Sequence, residues 1–570
     1  MKNSLPISKL LLSLPALWLC AAQAQAQAPA WQGAATVGNA SGATTVDASA
    51  TDASGNIYVA GTFRNTATFG STTLTSAGSL DVYVAKWSAA TNSFTWAMRL
   101  GGSGFDETYG LAVSGSNVYV VGDFSNTATF GSTTLTSAGS TDLFVAKLTD
   151  AGSSASFGWA QQAGGTGSEY GYGVAASGTS VYIAGFYTSP SATVGSTTLS
   201  NAGGNDLFVA KLTDGGAAAT FGWVLGAGGT DNDEVYSLGV SGNNVYLAGA
   251  SASPSLTLGS STLATAGDYD AFAGKITDAG SSASFTWAQR VGGTGSDGLA
   301  RLAVSGSSVY AVGGYTSSSI TAGGSTLTSA GGYDALLVKL TDAGSSGSIA
   351  WLQGGGSSGD DIAYGVAERN GNVYLSGFFG DTSTGGATLT ATFGTQTLTS
   401  AGGSDVFVAR VRDGGTASTV SYAQRAGGTS DDIAYATALA ANRLYVGGNF
   451  EGTAATFGTT TLTGTTVGST GFLAYLLDPA LATSPAAQLP GLALYPNPAR
   501  GRATVQLPAG VAATQASLTV TDALGRSLRS STLPTAGREL PLDLAGLAPG
   551  VYAVRVQAGG AEATRRLVVE

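Results

Sequence analysis

A segment that recurs seven times at a nearly constant spacing constrains this chain more than any other feature. The sequence NTATFGSTTLTSAGS occupies both 65–79 and 126–140, and less similar copies follow. The central glycines of the copies are Gly70, Gly131, Gly195, Gly259, Gly323, Gly394 and Gly458, in steps of 61 to 71 residues. Such a period predicts one supersecondary unit repeated seven times, with each unit burying its core against its neighbours.

Each repeat contains four short runs of β-branched and aromatic residues, typical of strands. In the second repeat they read YGLAVSG (109–115), NVYVVGDF (117–124), DLFVAKL (142–148) and FGWAQQA (157–163). The second and third runs are apolar at both odd and even positions. Since these positions point to opposite faces of a strand, both faces should be buried. A sheet packed between two neighbouring sheets meets that need.

The fourth run is missing from the last repeat and present at the start of the chain. Its aromatic markers are Trp96, Trp159, Trp223, Trp287, Trp351 and Tyr422, and the seventh marker is Trp31. An N-terminal strand that completes the last sheet would close a ring and leave only short edges. We therefore expect an all-β, seven-bladed β-propeller over residues 28–482, with four strands per blade. A right-handed β-helix is the rival, but it usually has shorter rungs and does not explain the split repeat.

The two ends of the chain differ from the repeats. Residues 1–27 read as a secretory signal peptide, with Lys2 and Lys9 flanking the apolar run Leu10–Ala22. That run is too short to cross a membrane, and no later stretch reaches 18 apolar residues, so we expect no transmembrane span in the mature chain. Residues 483–492 resemble a linker rich in proline and alanine. Residues 493–570 alternate like the strands of a small β-sandwich.

Composition excludes several kinds of chemistry. The chain has no histidine, and its one cysteine, Cys20, lies in the signal peptide. Catalytic triads and histidine-based metal sites are therefore ruled out. A formal net charge of −11 without a basic run disfavours nucleic acid as a partner. We expect no cofactor; a bound metal would need oxygen ligands, so Ca²⁺ is the one to consider.

One set of carboxylates recurs sixteen residues before a strand glycine in six of the seven repeats. The set is Asp106, Glu169, Asp233, Asp297, Asp361 and Asp432. A tyrosine follows three residues later in five repeats, with Ala300 and Ala48 as the exceptions. A ring of these acids at one mouth of the propeller could bind Ca²⁺ or line a sugar site. Repetition favours the simpler hypothesis that each acid accepts backbone N–H bonds in its glycine-rich turn.

The third run of each repeat begins with Asp and carries a basic residue five positions later, as in Asp206 and Lys211. Five positions along a strand place two side chains on opposite faces, ~17 Å apart. They cannot pair within one repeat, so we expect a structural role, with pairing across blades.

The repeat GGSGFDETYGLAVSGSNVYVVGDF…DLFVAKL resembles the bacterial SBBP-type β-propeller repeat, over roughly residues 31–478. The resemblance implies the fold but no common reaction. The tail is similar to the type A C-terminal sorting domain of the type IX secretion system of Bacteroidetes. The similarity rests on Tyr495, Pro496, Asn497 and Pro498, on DALGR (522–526), on LAPGVYAVRV (547–556) and on the closing RRLVVE. It implies export, recognition by the type IX machinery and a secreted or cell-surface location.

From these features we expect an exported binding or structural module whose ligand is a glycan or another surface protein. The alternative is an extracellular carbohydrate-active enzyme, a glycosidase or lyase that uses carboxylates. Two carboxylates suffice for glycoside hydrolysis. No repeat, however, has an acidic cluster with surroundings of its own, and catalytic acid and base usually need different environments.

Overall fold

The computed structural model describes residues 28–570 except 41, 381–386, 466–467, 482–486, 490, 509–514, 523–526, 536–537 and 559–560. The signal peptide expected at residues 1–27 and most of the DALGR stretch lie outside the described residues. Strands make up almost all of the regular structure described, which confirms the all-β class. No helix among the described residues is long and apolar enough to cross a membrane. The chain divides into two compact units after Asp478.

In the described part of the first unit, four strands build each of the sheets numbered 1 to 7 below, and their pairing is antiparallel; sheets 1, 2 and 5 extend to six strands because the hairpin of the following repeat pairs with their fourth strand. In chain order their strands are β3 (Ala48–Thr51), β4 (Ile57–Phe63), β7 (Asp81–Ser88) and β8 (Ser93–Gly102) in sheet 1; β9 (Asp106–Ser114), β10 (Asn117–Phe124), β13 (Asp142–Asp150) and β14 (Ala155–Gly165) in sheet 2; β15 (Glu169–Ser177), β16 (Ser180–Tyr187), β19 (Asp206–Asp214) and β20 (Ala219–Ala227) in sheet 3; β21 (Asp233–Ser241), β22 (Asn244–Ser251), β25 (Asp270–Asp278) and β26 (Ala283–Val291) in sheet 4; β27 (Asp297–Ser305), β28 (Ser308–Tyr315), β31 (Asp334–Asp342) and β32 (Gly347–Gly356) in sheet 5; β33 (Asp360–Arg369), β34 (Asn372–Gly380), β37 (Asp405–Asp413) and β38 (Ser418–Ala426) in sheet 6; and β39 (Asp432–Ala440), β40 (Arg443–Phe450), β43 (Thr470–Leu477) and β1 (Trp31–Val37) in sheet 7. Thus β1 pairs antiparallel with β43, the third strand of the last sheet.

The repeated segment forms a two-stranded hairpin between the second and third strands of each sheet. The hairpins are β5 (Thr66–Phe69) with β6 (Thr72–Thr75), β11 (Thr127–Phe130) with β12 (Thr133–Thr136), β17 (Ser191–Val194) with β18 (Thr197–Ser200), β23 (Ser255–Leu258) with β24 (Ser261–Ala264), β29 (Ser319–Ala322) with β30 (Ser325–Thr328), β35 (Thr390–Phe393) with β36 (Gln396–Thr399), and β41 (Ala454–Phe457) with β42 (Thr460–Thr463); the short β2 (Asn39–Ala40) pairs with β5. The central glycine of each copy has a positive φ, 64° at Gly131, which the tight turn requires.

Hydrophobic cores lie between neighbouring sheets. Along β10, Val118 and Val120 pack with sheet 1, whereas Tyr119 and Val121 pack with sheet 3. Both faces of this strand are therefore buried, as its continuous apolar sequence indicates. The first strands of consecutive sheets contact one another from β3 to β39, and β39 in turn contacts β3.

The second unit places two sheets around one hydrophobic core. Its elements are η1 (Pro479–Leu481), β44 (Ala487–Gln488), β45 (Ala493–Tyr495), β46 (Arg502–Gln506), β47 (Gln515–Thr521), β48 (Ser527–Pro534), β49 (Glu539–Asp543), β50 (Gly550–Ala558) and β51 (Ala561–Val569). One sheet has the order β44-β51-β50-β47-β48 and the other β45-β46-β49. Leucines and valines that alternate along these strands form the core. In the YPNP stretch, Asn497 holds β51 through its amide, which donates to Arg566 O at 2.7 Å and accepts from Val568 N at 2.8 Å.

Candidate functional site

The six carboxylates that the repeat spacing singled out are buried at the beginnings of the first strands of sheets 2 to 7. Asp106, Glu169, Asp233, Asp297, Asp361 and Asp432 are each no more than 2% exposed. In every case one carboxylate oxygen accepts the backbone N–H of the residue four positions earlier, at 2.6–2.8 Å. Serine hydroxyls also donate to some of them, as Ser253 does to Asp233 at 2.7 Å. Each acid thus holds its own turn closed.

Each of these acids also faces the aspartate that begins the third strand of the preceding sheet. The pairs are Asp81 with Asp106, Asp142 with Glu169, Asp206 with Asp233, Asp270 with Asp297, Asp334 with Asp361 and Asp405 with Asp432. A glycine gives the two carboxylates room to meet. At Gly356 a methyl carbon would lie 1.8 Å from Asp334 Oδ1 and 3.0 Å from Asp361 Oδ2.

In three of these pairs one oxygen of each carboxylate is buried without a hydrogen-bond donor. The Oδ1 atoms of Asp334 and Asp361 are both buried without a partner. Burial, followed by the charge of Asp334, raises the pKa of Asp361 to about 7, and burial raises the pKa of Asp334. Burial likewise raises the pKa of Asp432 to about 8. A single proton shared between the two carboxylates would relieve the repulsion between the charges, a hypothesis that the variant Asp361→Asn can test.

The six acids are not brought together at one place, because each lies in a different sheet. Within the residues that the structure describes, no three acidic, histidine or cysteine side chains are arranged to hold a metal ion. A Ca²⁺ ring formed by the six acids stays a prediction of the sequence.

The basic residues of the third strands form ion pairs between neighbouring sheets. Lys211 Nζ lies 2.6 Å from Oδ2 of Asp278, the last residue of the third strand in the next sheet. Tyr182 and Trp223 donate to the same carboxylate at 2.8 and 2.9 Å. The corresponding pairs are Lys86 with Asp150, Lys147 with Asp214, Lys275 with Asp342, Lys339 with Asp413 and Arg410 with Asp478. The spacing in the sequence concerned the aspartate that begins each third strand, but the partner is the aspartate at the end of the next third strand or, for Arg410, directly after it.

Five tyrosines occupy β-bulges in the first strands of their sheets. They are Tyr109, Tyr172, Tyr236, Tyr364 and Tyr435. A bulge turns its side chain out of the regular alternation of the strand. Neighbouring rings contact one another, with centroids 4.3 Å apart for Tyr109 and Tyr172 and 5.2 Å apart for Tyr364 and Tyr435. We refer to these five side chains as the tyrosine belt.

The glycines that lie sixteen residues after the carboxylates, on the second strands of the same sheets, face these bulges. At Gly249 a methyl carbon would lie 1.9 Å from the carbonyl oxygen of Glu234, just before the Tyr236 bulge. Glycine is therefore required at this position because the bulged backbone approaches it closely.

The tyrosine belt is interrupted in sheet 5, where the bulge residue is Ala300. Beside it, Gly314 stands where sheets 3 and 6 have Phe186 and Phe378. A cavity of about 410 Å³ lies at this break. It is lined by Glu234, Tyr236, Ala250, Tyr269, Ser296, Asp297, Gly298, Leu299, Ala300, Gly313, Gly314, Tyr333, Ile362 and Tyr364. This volume is within the range of small-molecule sites.

A second cavity, of about 160 Å³, lies among the first strands and is lined by Arg301 and Asp47. Arg301 donates from Nη2 to Tyr109 O at 2.7 Å and from Nη1 to Tyr236 O at 3.3 Å. Burial raises the pKa of Asp47 to about 7. Arg301 thus joins the first strands of sheets 2, 4 and 5.

The sequence contained one signal for the larger cavity. Ala300 is one of two exceptions to the tyrosine spacing, but the spacing alone does not show that a missing ring leaves a cavity. Tyr269 and Tyr333, which precede the third strands of sheets 4 and 5, carried no signal that pointed to this place.

Comparison with known proteins supports the interpretation of the tail. Residues 493–570 match the family of the secretion system C-terminal sorting domain. This match confirms the sorting-domain part of the resemblance and indicates a secreted or surface protein. The sequence matches no curated protein.

Solved structures also align with the chain. PorZ, a surface component of the type-IX secretion system of Porphyromonas gingivalis, has 12% identity and a TM-score of 0.14, with 94% of this chain and 100% of PorZ covered. A mutant of Trypanosoma rangeli sialidase with trans-sialidase activity has 8% identity and a TM-score of 0.29, with coverage of 95% and 89%. With TM-scores below 0.5, these similarities carry no argument about fold or function.

Proposed function

We propose that this protein is an exported binding module in which residues 28–482 form a closed seven-bladed β-propeller of SBBP-type repeats. Two observations support the closed ring: the pairing of Trp31–Val37 with Thr470–Leu477, and the contact between the first strands of sheets 7 and 1. After a linker at 483–492, residues 493–570 would form the β-sandwich through which the type IX machinery recognises the protein.

The binding site in this proposal is the cavity at the break in the tyrosine belt. One observation carries the proposal: the break in the repeat pattern at Ala300 coincides with a cavity of about 410 Å³. The acid pairs and the Lys–Asp pairs recur at successive sheet junctions, as expected of groups that hold sheets together. Sheet 1 also lacks the tyrosine, at Ala48, but sheet 5 combines the missing ring with Gly314, and this combination is free to serve a ligand.

Binding is favoured over catalysis because the carboxylates of the cavity already have partners. Glu234 accepts from the Tyr236 hydroxyl and from the Asn205 amide, while Asp297 accepts from Gly293 N and Ser317 Oγ. A glycosidase uses one carboxyl group as acid and a second as base or nucleophile, on either side of the bond that it cleaves, whereas both carboxylates here are held by donors of the protein itself. The ligand, part of a glycan or of another surface protein, would insert one group between Tyr236 and Tyr364.

The proposal is tested by probing glycan and peptide arrays with the labelled full chain. Ala300→Tyr would restore the missing ring and fill the cavity, so spots bound by the wild type should be lost. Thr129→Tyr, which adds the same side chain at an exposed position of β11, should leave them unchanged. Spots that survive Ala300→Tyr would contradict the cavity as the site, and soluble products released from a bound glycan would favour the enzyme.

A further inference from the structure

Four tyrosines surround the cavity at the break in the tyrosine belt. Tyr236 and Tyr364 project from the bulges on either side of sheet 5, and Tyr269 and Tyr333 come from the turns that precede β25 and β31. Burial raises the pKa of Tyr236, of Tyr333 and of Tyr364 above the ordinary value, so these phenols are neutral at physiological pH. The cavity therefore offers several neutral aromatic rings to its occupant.

Polar groups at the cavity are largely engaged with one another. Tyr269 accepts from the Asn232 amide at 2.6 Å, and Glu234 is held by Asn205 and Tyr236. A guest that must make many hydrogen bonds, such as a sugar with several hydroxyls, would leave part of its own polar surface unsatisfied. A guest group without hydrogen-bond donors would leave no donor of its own unsatisfied on entry.

The charge around the cavity is negative. Glu234 and Asp297 are among its lining residues, and none of the residues that the structure describes there is lysine or arginine. Arg301, the nearest cation along the strand, lines the other cavity and donates to main-chain carbonyls. Residues 28–478 together carry 14 basic and 30 acidic side chains, a net charge of −16. A field of this sign attracts cations.

We propose that the cavity takes a methylated ammonium group, a small organic cation that has no N–H to satisfy. This inference rests on the proposed function, because it names the ligand class of the same site. Aromatic faces attract such cations through their quadrupoles when the charge lies within about 6 Å of the ring centre, and the attraction grows when water is excluded. The carboxylates of Glu234 and Asp297 add to the attraction without having to contact the guest.

The experiment compares choline with its uncharged isostere 3,3-dimethylbutan-1-ol by calorimetric titration of the full chain. The two probes have the same shape and differ in charge, so choline should bind at least tenfold more tightly. Tyr333→Phe keeps the ring and should retain the preference, whereas Tyr333→Leu keeps apolar volume but should reduce choline affinity about tenfold and leave the isostere unchanged. Ala300→Tyr should abolish both.

Equal binding of the two probes, both lost in Ala300→Tyr, would overturn the cationic class while leaving the cavity as a site. The cationic class would also be overturned if the arrays showed ligands that depend on the cavity but choline did not bind. Choline binding that persists in Ala300→Tyr would overturn the location and with it the proposed site.

Discussion

Asp361→Asn tests whether the acid pairs between sheets share a proton. Asp361 Oδ2 accepts from Ser357 N at 2.6 Å and from Ser357 Oγ at 2.9 Å, while Oδ1 is buried without a donor, and the charge of Asp334 acts on the carboxylate. An asparagine can keep the bonds from Ser357 through its carbonyl oxygen and direct its N–H₂ group toward Asp334. It therefore mimics the protonated form of Asp361 at every pH.

The magnitude follows from the pKa of Asp361, which burial and the charge of Asp334 raise from 3.8 to about 7. Below pH 3.8 the acid is protonated in both the folded and the unfolded chain, so its shifted pKa does not change the free energy of unfolding. Between pH 3.8 and about 7 the unfolded chain releases the proton and the folded chain retains it, so stability falls as the pH rises. At 1.36 kcal/mol per pKa unit, the loss reaches ~4 kcal/mol above pH 7.

The variant cannot lose this proton, so its stability relative to wild type should rise by up to ~4 kcal/mol between pH 4 and pH 8. At pH 4 the two proteins should differ by no more than ~1 kcal/mol, because the hydrogen bonds are conserved. Urea unfolding followed by tryptophan fluorescence at pH 4, 6 and 8 measures the difference. Asp360→Asn is the matched control, because that carboxylate instead accepts from Tyr333 N at 2.9 Å. A difference between Asp361→Asn and wild type that stays constant with pH would refute the shared proton.

Two further substitutions test how the sheets are joined. Lys211→Met removes the cation 2.6 Å from the buried Asp278 carboxylate and should destabilise the first unit by ~3–5 kcal/mol, seen as a lower urea midpoint, with binding at the cavity unchanged. A midpoint equal to that of wild type would contradict this role. Gly228→Ala places a methyl carbon 2.0 Å from Asp206 Oδ1 and should cost ~1–3 kcal/mol, whereas in Gly222→Ala the nearest atom is 3.4 Å away and the Tm should barely change. Equal losses of Tm in the two glycine variants would show that the space beside the carboxylates is not what matters.

Much of the fold could be predicted because the repeat carries its own pattern. The continuous apolar strands predicted two buried faces, and the tryptophan count placed Trp31 with the last sheet, where β1 pairs with β43. The two glycines before each acid were also visible in the sequence. The physical reason for the first of them was not, because it lies in the aspartate of the preceding sheet, which meets the acid only across a sheet junction.

The ion pairs show the same limit. Spacing within one strand correctly excluded a bond between Asp206 and Lys211. It could not choose a partner for Lys211, however, because Asp278 lies 67 residues away and becomes its neighbour only when two sheets pack. Contacts within a strand or hairpin follow from the periodicity of the strand, whereas contacts between sheets depend on how two surfaces pack.

The candidate site was hardest to predict because it lies where small residues replace the larger side chains of most other repeats. The residues of this sequence with recognisable chemistry are the recurrent carboxylates, and these are buried in turns. Ala300, Gly298 and Gly314 carry no reactive group, yet they line the space between Tyr236 and Tyr364. In a chain of near-identical repeats, the residues that maintain the fold are the ones that recur. A binding function is therefore better sought where one repeat loses a side chain that its neighbours keep.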